Sequence, residues 1–169
     1  RAVRILVAGG TGAVGRQVCA EVVRVLGPGA LVVGDYNPAR GREFARSISG
    51  SVETVELDVH DRESVDRATD DVDAVIVAVR QFEPVVQTVC TEKGIHSVDI
   101  VPDTPLAASV FSPDEAHPEW ERLSGVVAAG LIPGLSGLMA RYVIETSTAA
   151  DDAPGERVIH VSLLQRKDG

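Results

Sequence analysis

Three glycines near the start of the chain have the spacing that suits phosphate binding. Gly10, Gly12 and Gly15 form the pattern Gly-x-Gly-x-x-Gly between an apolar run and a helical pattern. In such a turn the first glycine permits a tight bend, the second lets a diphosphate approach the backbone, and the third lets helix and strand pack closely. The sequence therefore predicts a dinucleotide-binding turn, and the alternative is a turn with a purely structural role. The predicted ligands in the turn are Gly10, Thr11, Gly12, Ala13, Val14 and Gly15.

An acidic residue stands at the distance from this turn that a dinucleotide requires. Asp35 follows the apolar run 31–34, about 20 residues beyond the last glycine. A carboxylate there can accept hydrogen bonds from both hydroxyls of an adenosine ribose, which slightly favours NAD over NADP. Arg40 and Arg42 lie near enough in sequence to pair with the 2′-phosphate of NADP instead. We predict Asp35, Tyr36 and Arg40 as cofactor ligands, and an Asp35 that only begins a helix is the alternative.

Two later turns also carry candidate ligands. Asp58 and Val59 follow the third predicted strand, where the acid can accept from the adenine amine while the valine covers the ring. A plain helix-start acid fits Asp58 equally well. Ala78, Val79 and Arg80 end the fourth strand, where the nicotinamide half of a dinucleotide would pass. Arg80 is there either a ligand of phosphate or substrate, or a solvated loop residue.

A second glycine-rich segment, residues 130–137, reads Gly-Leu-Ile-Pro-Gly-Leu-Ser-Gly and begins the last predicted helix. It forms either a second polar cradle near the nicotinamide or a plain turn of small residues.

No side chain stands out as a catalytic acid or base. The Tyr-x-x-x-Lys pair of short-chain dehydrogenases is absent, since Arg40 takes the lysine position after Tyr36, and Thr146 takes it after Tyr142. The histidines and the two cysteines lack metal-ligand spacing. The catalytic residues are therefore unknown, no metal site is predicted, and the cysteines are expected to be buried, reduced thiols.

Length and composition favour one globular domain. The chain has 169 residues, 44% of them hydrophobic, and a formal net charge of -9. Because no stretch concentrates lysine or arginine, no nucleic-acid or anionic-membrane partner is expected. No apolar segment approaches the roughly 18 residues of a membrane span and no signal peptide precedes the first strand, so we expect a cytoplasmic protein. The start at Arg1 and the end after a strand-like run lead us to expect a piece of a longer protein.

The apolar periodicity predicts strands alternating with helices, and therefore a doubly wound parallel sheet, the Rossmann type of α/β fold. We predict the strand order 3-2-1-4-5-6, with ligands bound outside the carboxyl ends where this order reverses. Residues 1–150 form this domain, and 151–169 begin a second, truncated domain or add an edge strand. After the first strand, the predicted strands are 31–34, 52–57, 74–79, 98–101 and 126–129, with a seventh at 158–163 and a short helix at 119–124.

Five predicted helices carry apolar stripes. The stripes are Val14, Val18, Val22 and Val25 in the first helix; Phe44, Ala45 and Ile48 in the second; Val65, Ala68, Thr69 and Val72 in the third; Phe82, Val85, Val86, Val89 and Cys90 in the fourth; and Leu135, Leu138, Met139, Tyr142 and Val143 in the last. Asn37 and Pro38 are predicted to cap and begin the second helix, and Gly94 is predicted to end the fourth.

These motifs together resemble those of the saccharopine dehydrogenase-like oxidoreductases, in their N-terminal NAD(P)-binding domain. The similar segments are Gly-Gly-Thr-Gly-Ala-Val-Gly at 9–15, Asp-Tyr-Asn-Pro-Ala-Arg at 35–40 and Leu-Asp-Val at 57–59. The similarity continues in Val-Val-Gln-Thr-Val-Cys at 85–90, Gly-Ile-His-Ser-Val-Asp at 94–99 and Pro-Gly-Leu-Ser at 133–136. The chain departs from the family at two places. Many relatives have small residues and proline at 79–81, and many have an aromatic residue at 97–98.

The resemblance implies an NAD(P)-dependent oxidoreductase that transfers a hydride at a carbon–nitrogen bond of an amino-acid-derived substrate. It also implies a following domain that binds substrate and often makes a homodimer, so the fragment alone is expected to be inactive. The alternative is a non-enzymatic protein that senses NAD(P) and signals to a partner.

Overall fold

The computed structural model describes residues 2–100, 125–126, 129–130 and 134–146. In this part of the chain strands and helices alternate, as predicted. The strands are β1 (Ile5–Ala8), β2 (Leu31–Asp35), β3 (Glu53–Glu56), β4 (Ala74–Val77), β5 (His96–Asp99) and β6 (Gly125–Val126). The helices are α1 (Ala13–Leu26), α2 (Pro38–Ile48), α3 (Arg62–Ala68), α4 (Val85–Lys93) and α5 (Leu135–Thr146), and a 3-10 turn (Pro28–Ala30) precedes β2.

All of these strands form one parallel sheet in the order β3-β2-β1-β4-β5-β6. The predicted strand order and the doubly wound fold are confirmed. The order reverses beside β1, since β1 pairs with β2 on one side and with β4 on the other. In sheets of this type a ligand crevice opens at the carboxyl ends of the strands at the point of reversal.

The core lies on both faces of the sheet because helices cover both. Side chains of a strand alternate between the faces, and in β1 Leu6 and Ala8 join one core cluster whereas Val7 joins the other. The first cluster includes residues of α3 and α4, and the second includes residues of α1 and α2. The predicted stripe Val65, Ala68, Thr69 and Val72 is buried throughout.

Local sequence signals set the ends of two helices. The Asn37 side chain caps α2, since its Oδ1 accepts hydrogen bonds from the amides of Ala39 and Arg40 at 3.1 Å each, and Pro38 begins the helix. Gly94 ends α4 with φ 71°, in the left-handed region that favours glycine. The predicted cap and stop are both confirmed.

The predicted apolar stripe of α1 is wrong at its two ends. Val14 is 56% exposed and Val25 is 64% exposed. The buried face instead consists of Gly15, Cys19 and Val22. Gly15 lies on this face because it has no side chain and can pack directly against the preceding turn, whereas Val14 and Val25 lie off the face.

Phe82 also differs from its prediction. The pattern places it in the buried stripe of the fourth helix, but α4 begins only at Val85, and Phe82 lies in the preceding loop with 74% of its surface exposed. Val86, Val89 and Cys90 of the same stripe are buried as predicted.

The later part of the chain matches the prediction in outline. Strands β5 and β6 begin earlier than predicted, and the expected last helix is present as α5. Its residues Leu135, Leu138, Met139 and Tyr142 are exposed. The predicted helix at 119–124, the seventh strand at 158–163 and the proposed second domain from 151 lie outside the described residues. Among the described helices, none has the length and apolar character needed to cross a membrane.

Candidate functional site

The strand register brings the predicted site residues to one edge of the sheet. Ala8, at the end of β1, lies opposite Gly34 of β2 and Val77 of β4. Val77 lies in turn opposite Asp99, at the end of β5. The glycine turn, Asp35, the loops that follow β3 and β4, and the end of β5 therefore meet at the carboxyl edge, where the sheet order reverses.

The glycine turn is attached to the end of β2 by its backbone. The amides of Gly9 and Gly10 both donate to the carbonyl of Gly34, at 2.9 and 3.1 Å, and the amide of Gly12 donates to the carbonyl of Gly9 at 3.0 Å. Gly9 has φ 76°, a backbone conformation that L side chains rarely adopt. These contacts fix the turn beside the end of β2.

Gly15 is required by close packing. A Cβ built on Gly15 would lie 2.1 Å from the carbonyl oxygen of Gly9 and 2.9 Å from Cα of Gly10, both of them backbone atoms. The third glycine therefore permits a close approach, as predicted, although its partner is the turn that follows β1 rather than the strand itself. A Cβ on Gly12 would lie 3.2 Å from the same carbonyl, a tighter contact than most side chains make.

Backbone amides at the start of α1 are available to an anion. The N-cap residue is Gly12, which supplies no side-chain cap, and the first turn of α1 holds no acidic residue. The first amides of a helix have no acceptor within the helix, and Ala13 and Val14 are exposed, whereas the Gly12 amide is already bonded to the Gly9 carbonyl. The amides of Ala13 and Val14 lie at the positive end of the helix dipole, which suits a phosphate group. The residues of the turn therefore fit a dinucleotide diphosphate.

Asp35 is buried, only 3% exposed, and both of its carboxylate oxygens have partners. Oδ2 accepts a hydrogen bond from Thr11 Oγ1, and Oδ1 accepts from the Asn37 amide at 2.9 Å and from Arg40 Nη2 at 2.8 Å. Burial raises the pKa of this carboxyl, but the hydrogen bonds from Thr11, Asn37 and Arg40 outweigh it and leave the pKa below its ordinary value. Asp35 is therefore an ionised carboxylate that links the glycine turn to the start of α2.

Arg16 is a residue that the sequence reasoning missed. Its Nε donates to the carbonyl of Thr11 at 2.8 Å, and its guanidinium lies 4.6 Å from the centre of the Phe44 ring. Arg16 thus holds the backbone of Thr11, while Asp35 holds its side chain. A basic residue directly after the third glycine is the signal from which this contact could have been predicted.

The other predicted ligands of the adenosine half have different surroundings. Asp58 Oδ1 accepts from the His60 amide at 2.9 Å, a local turn before α3. Val59 is buried within the core cluster of the α3 and α4 face. Tyr36 is exposed beside the end of β2. The roles of Asp58, Val59 and Tyr36 toward a cofactor stay predictions.

The loop after β4 touches the glycine turn. The Ala78 amide donates to the Ala8 carbonyl at 2.9 Å, and Val79 Cβ lies 2.8 Å from the point where a Cβ on Gly9 would stand. The Arg80 guanidinium lies 5.6 Å from the Phe82 ring centre. Phe82 stacks in turn on His60, with ring centres 5.2 Å apart. Ala78 and Val79 therefore lie against the glycine turn, whereas Arg80 lies beside the exposed aromatic pair.

The second glycine-rich segment is described at its two ends. Gly130 and Gly134 form an isolated parallel bridge, and the Leu135 amide donates to the Gly130 carbonyl at 2.8 Å. Gly134 has φ 127° and leaves no room for a Cβ, which would lie 2.2 Å from that carbonyl. Gly130 and Gly134 are thus in close contact before α5, and the role of the segment 130–137 as a polar cradle stays a prediction.

The cysteines are buried as predicted, and both are free thiols. Burial raises the pKa of Cys19 and of Cys90 to about 12. Within the described ranges no group of three or more His, Cys, Asp or Glu side chains gathers in a form that could hold a metal ion.

Two solved structures share the fold of this chain. Saccharopine dehydrogenase (L-Glu forming) from Saccharomyces cerevisiae matches with a TM-score of 0.66 and 21% identity, over 88% of this chain and 32% of that one. The Citrobacter sp. triphenylmethane reductase complexed with NADP(H) matches with a TM-score of 0.50 and 18% identity, over 57% of this chain and 36% of that one. At these identities the likeness shows the fold alone.

The chain spans about one third of the length of these two structures. No curated protein matches it. The sequence model of one family, described as the saccharopine dehydrogenase NADP binding domain, matches residues 5–124. Since this match covers more than half of the chain, and since the glycine turn, the parallel sheet and its strand order agree with it, the chain belongs to the saccharopine dehydrogenase NADP binding domain family.

Proposed function

We propose that this chain is the cofactor-binding part of an NAD(P)-dependent oxidoreductase. One observation carries the proposal. The glycine turn, in which Gly15 lies too close to Gly9 for any side chain, presents exposed, uncapped backbone amides. Beside them lies the buried carboxylate of Asp35 at the end of β2. The family match supports the same class of ligand. The bound dinucleotide would supply hydride transfer. The chain's own contribution is to bind and orient it.

The substrate is proposed to be an amino-acid-derived compound that is oxidised or reduced at a carbon–nitrogen bond. The support for this is the resemblance to saccharopine dehydrogenase-like enzymes in the order of motifs along the chain. Because the chain spans about a third of the yeast enzyme, substrate binding is assigned to a further domain. The full-length protein, supplied with NADPH, an amino acid and a keto acid, is expected to oxidise the cofactor, and a lack of turnover with any such pair would remove this part of the proposal.

For the cofactor we propose NADP as the better ligand. The expectation of NAD assumed a carboxylate with open oxygens, whereas Asp35 already accepts from Thr11, Asn37 and Arg40. A carboxylate has about four acceptor sites, so it cannot take two ribose hydroxyls without releasing a partner. The Arg40 side chain is 58% exposed and holds further donors that suit a phosphate.

Calorimetric titration of the chain with NADPH and with NADH tests the site directly. Gly12→Ala is the informative variant, because a methyl group there stands where the diphosphate must approach the backbone. We expect the dissociation constant to rise about tenfold, as for the loss of one good hydrogen bond. Gly29→Ala is the matched control, since a Cβ on Gly29 meets nothing within 4 Å. An absence of heat with both cofactors would end the proposal.

A further inference from the structure

A buried polar cluster joins the loop after β4 to the end of β5. Its members are Gln81, Gln87 and Asp99, of which Gln81 and Asp99 are fully buried and Gln87 nearly so. Gln81 lies in the loop between β4 and α4, Gln87 lies in α4, and Asp99 is the last residue of β5. Burying these groups is costly unless they are hydrogen-bonded, so their contacts define one arrangement of the three segments.

The hydrogen bonds of the cluster converge on one carboxylate oxygen. Asp99 Oδ2 accepts from Gln81 Nε2 at 2.9 Å and from Gln87 Nε2 at 3.0 Å. Gln81 Nε2 also donates to Gln87 Oε1 at 3.1 Å, and Gln81 Oε1 accepts from the Val86 amide at 3.2 Å. Both ends of the Gln81 amide are therefore engaged, one with the start of α4 and the other with β5.

Asp99 also contacts the chain on the β6 side of β5, through its backbone. Its backbone carbonyl accepts from the Ala129 amide at 2.8 Å, and Ala129 directly precedes Gly130, which forms a bridge with Gly134. Since β5 lies between β4 and β6 in the sheet, Asp99 contacts the loop after β4 through its side chain and the segment after β6 through its backbone.

Two features place the loop after β4 beside one half of a dinucleotide. Asp35 lies at the end of β2, and β4 and β5 lie on the opposite side of β1. A dinucleotide whose diphosphate binds at the glycine turn, with its adenosine toward β2, must extend its nicotinamide half toward β4 and β5. The loop that Gln81 anchors also carries Val79, which packs against Gly9 of the turn.

We propose that Asp99, Gln81 and Gln87 are positioning residues that fix the loop between β4 and α4 against the end of β5, so that this loop accepts the nicotinamide half of the cofactor. They act through this loop and do not touch the diphosphate. This inference rests on the proposed function, because it presumes a dinucleotide at the glycine turn. A fully satisfied polar network of this kind specifies a single arrangement, since a shifted loop would leave buried groups unpaired.

The test compares the whole dinucleotide with ADP, which carries the adenosine and the diphosphate but neither the nicotinamide ring nor its ribose. Gln81→Met keeps the length of the side chain but removes its donor and its acceptor. We expect the dissociation constant of NADPH to rise about tenfold, the equivalent of one lost hydrogen bond, while that of ADP changes by less than about twofold. Gln17→Met is the matched control, because Gln17 is an exposed residue of α1, and it should change neither constant.

Gln87→Met provides a second variant in case Gln81→Met does not fold. It keeps the bond between Gln81 and Asp99, so its effect on NADPH should have the same direction and a smaller size. Hydrogen exchange provides an independent readout: protection should fall in residues 78–84 and stay unchanged in the glycine turn. Equal loss of both ligands, or no loss of NADPH, in either folded variant would overturn the inference. Wild-type protein that binds neither NADPH nor ADP would instead overturn the proposed function, and the inference with it.

Discussion

The hydroxyl of Thr11 donates a hydrogen bond to the carboxylate of Asp35, and both residues are buried. This contact joins the glycine turn to the end of β2 through side chains, in addition to the backbone bonds from Gly9 and Gly10 to Gly34. It gives Asp35 a role in shaping the turn that is separate from any contact with a ribose.

Thr11→Val is expected to weaken both stability and cofactor binding. Valine has the shape of threonine but no hydroxyl, so one buried oxygen of Asp35 loses its donor. We expect a loss of about 1 to 3 kcal/mol in the free energy of unfolding, measured by urea denaturation, with a weaker NADPH affinity. Thr11→Ser keeps the hydroxyl and should retain most of both, and equal losses in the two variants would show that the hydrogen bond is not the cause.

Asp35→Asn is expected to remove part of the acid sensitivity of the fold. The pKa of Asp35 is lower in the folded state than its ordinary value, so its ionised form stabilises the fold above that ordinary value, about 4. This contribution is lost as pH falls through the folded pKa. The difference in unfolding free energy between wild type and variant should therefore be largest near neutral pH and shrink on acidification below about pH 4. A difference that stays constant with pH would contradict the assignment.

Arg40→Gln is expected to change the choice of cofactor. The variant removes a cation from the edge of the site and releases Asp35 from its ion pair. We expect NADPH affinity to fall about tenfold or more and NADH affinity to change little or rise, since a charge-assisted bond contributes about 1.5 to 3 kcal/mol. Titration with both cofactors measures the ratio. Arg46→Gln, at an exposed position of the same helix, is the control and should leave the ratio unchanged.

Gly15→Ala is expected to damage the fold at the turn. The added methyl group would lie 2.1 Å from the Gly9 carbonyl, and neither the helix nor the turn holds a flexible side chain at that point. We expect a loss of about 3 kcal/mol in the free energy of unfolding, together with loss of cofactor binding. Thermal and urea unfolding measure the first effect. Gly29→Ala should change stability by about 0.5 kcal/mol or less, and a similarly small effect at Gly15 would contradict the packing argument.

Much of the fold was predictable because its signals are local. The glycine spacing, the Asn37-Pro38 cap and the stop at Gly94 each depend on a few neighbouring residues, and all three appear as expected. The strand order followed from the alternation of strands and helices together with the handedness of their connections. The family resemblance, drawn from the order of motifs, is borne out by the family match.

The contacts within the site were harder to predict because they join distant parts of the chain. Asp35 was expected to face a ribose, but the sequence did not show that Thr11 and Arg40 would both bind it. Phe82 fits a helical stripe by spacing alone, yet the helix begins after Pro84. The bond from Gln81 to Asp99 connects positions 18 residues apart, and no periodic pattern indicates it.

The ring stack of His60 on Phe82 has a further consequence for ligand entry. It connects the loops after β3 and β4, whose strands are separated in the sheet by β2 and β1. These two loops are therefore held together in the free protein, across the ends of the two central strands. Because the two loops already touch, a ligand that binds beside them loses less affinity to ordering them.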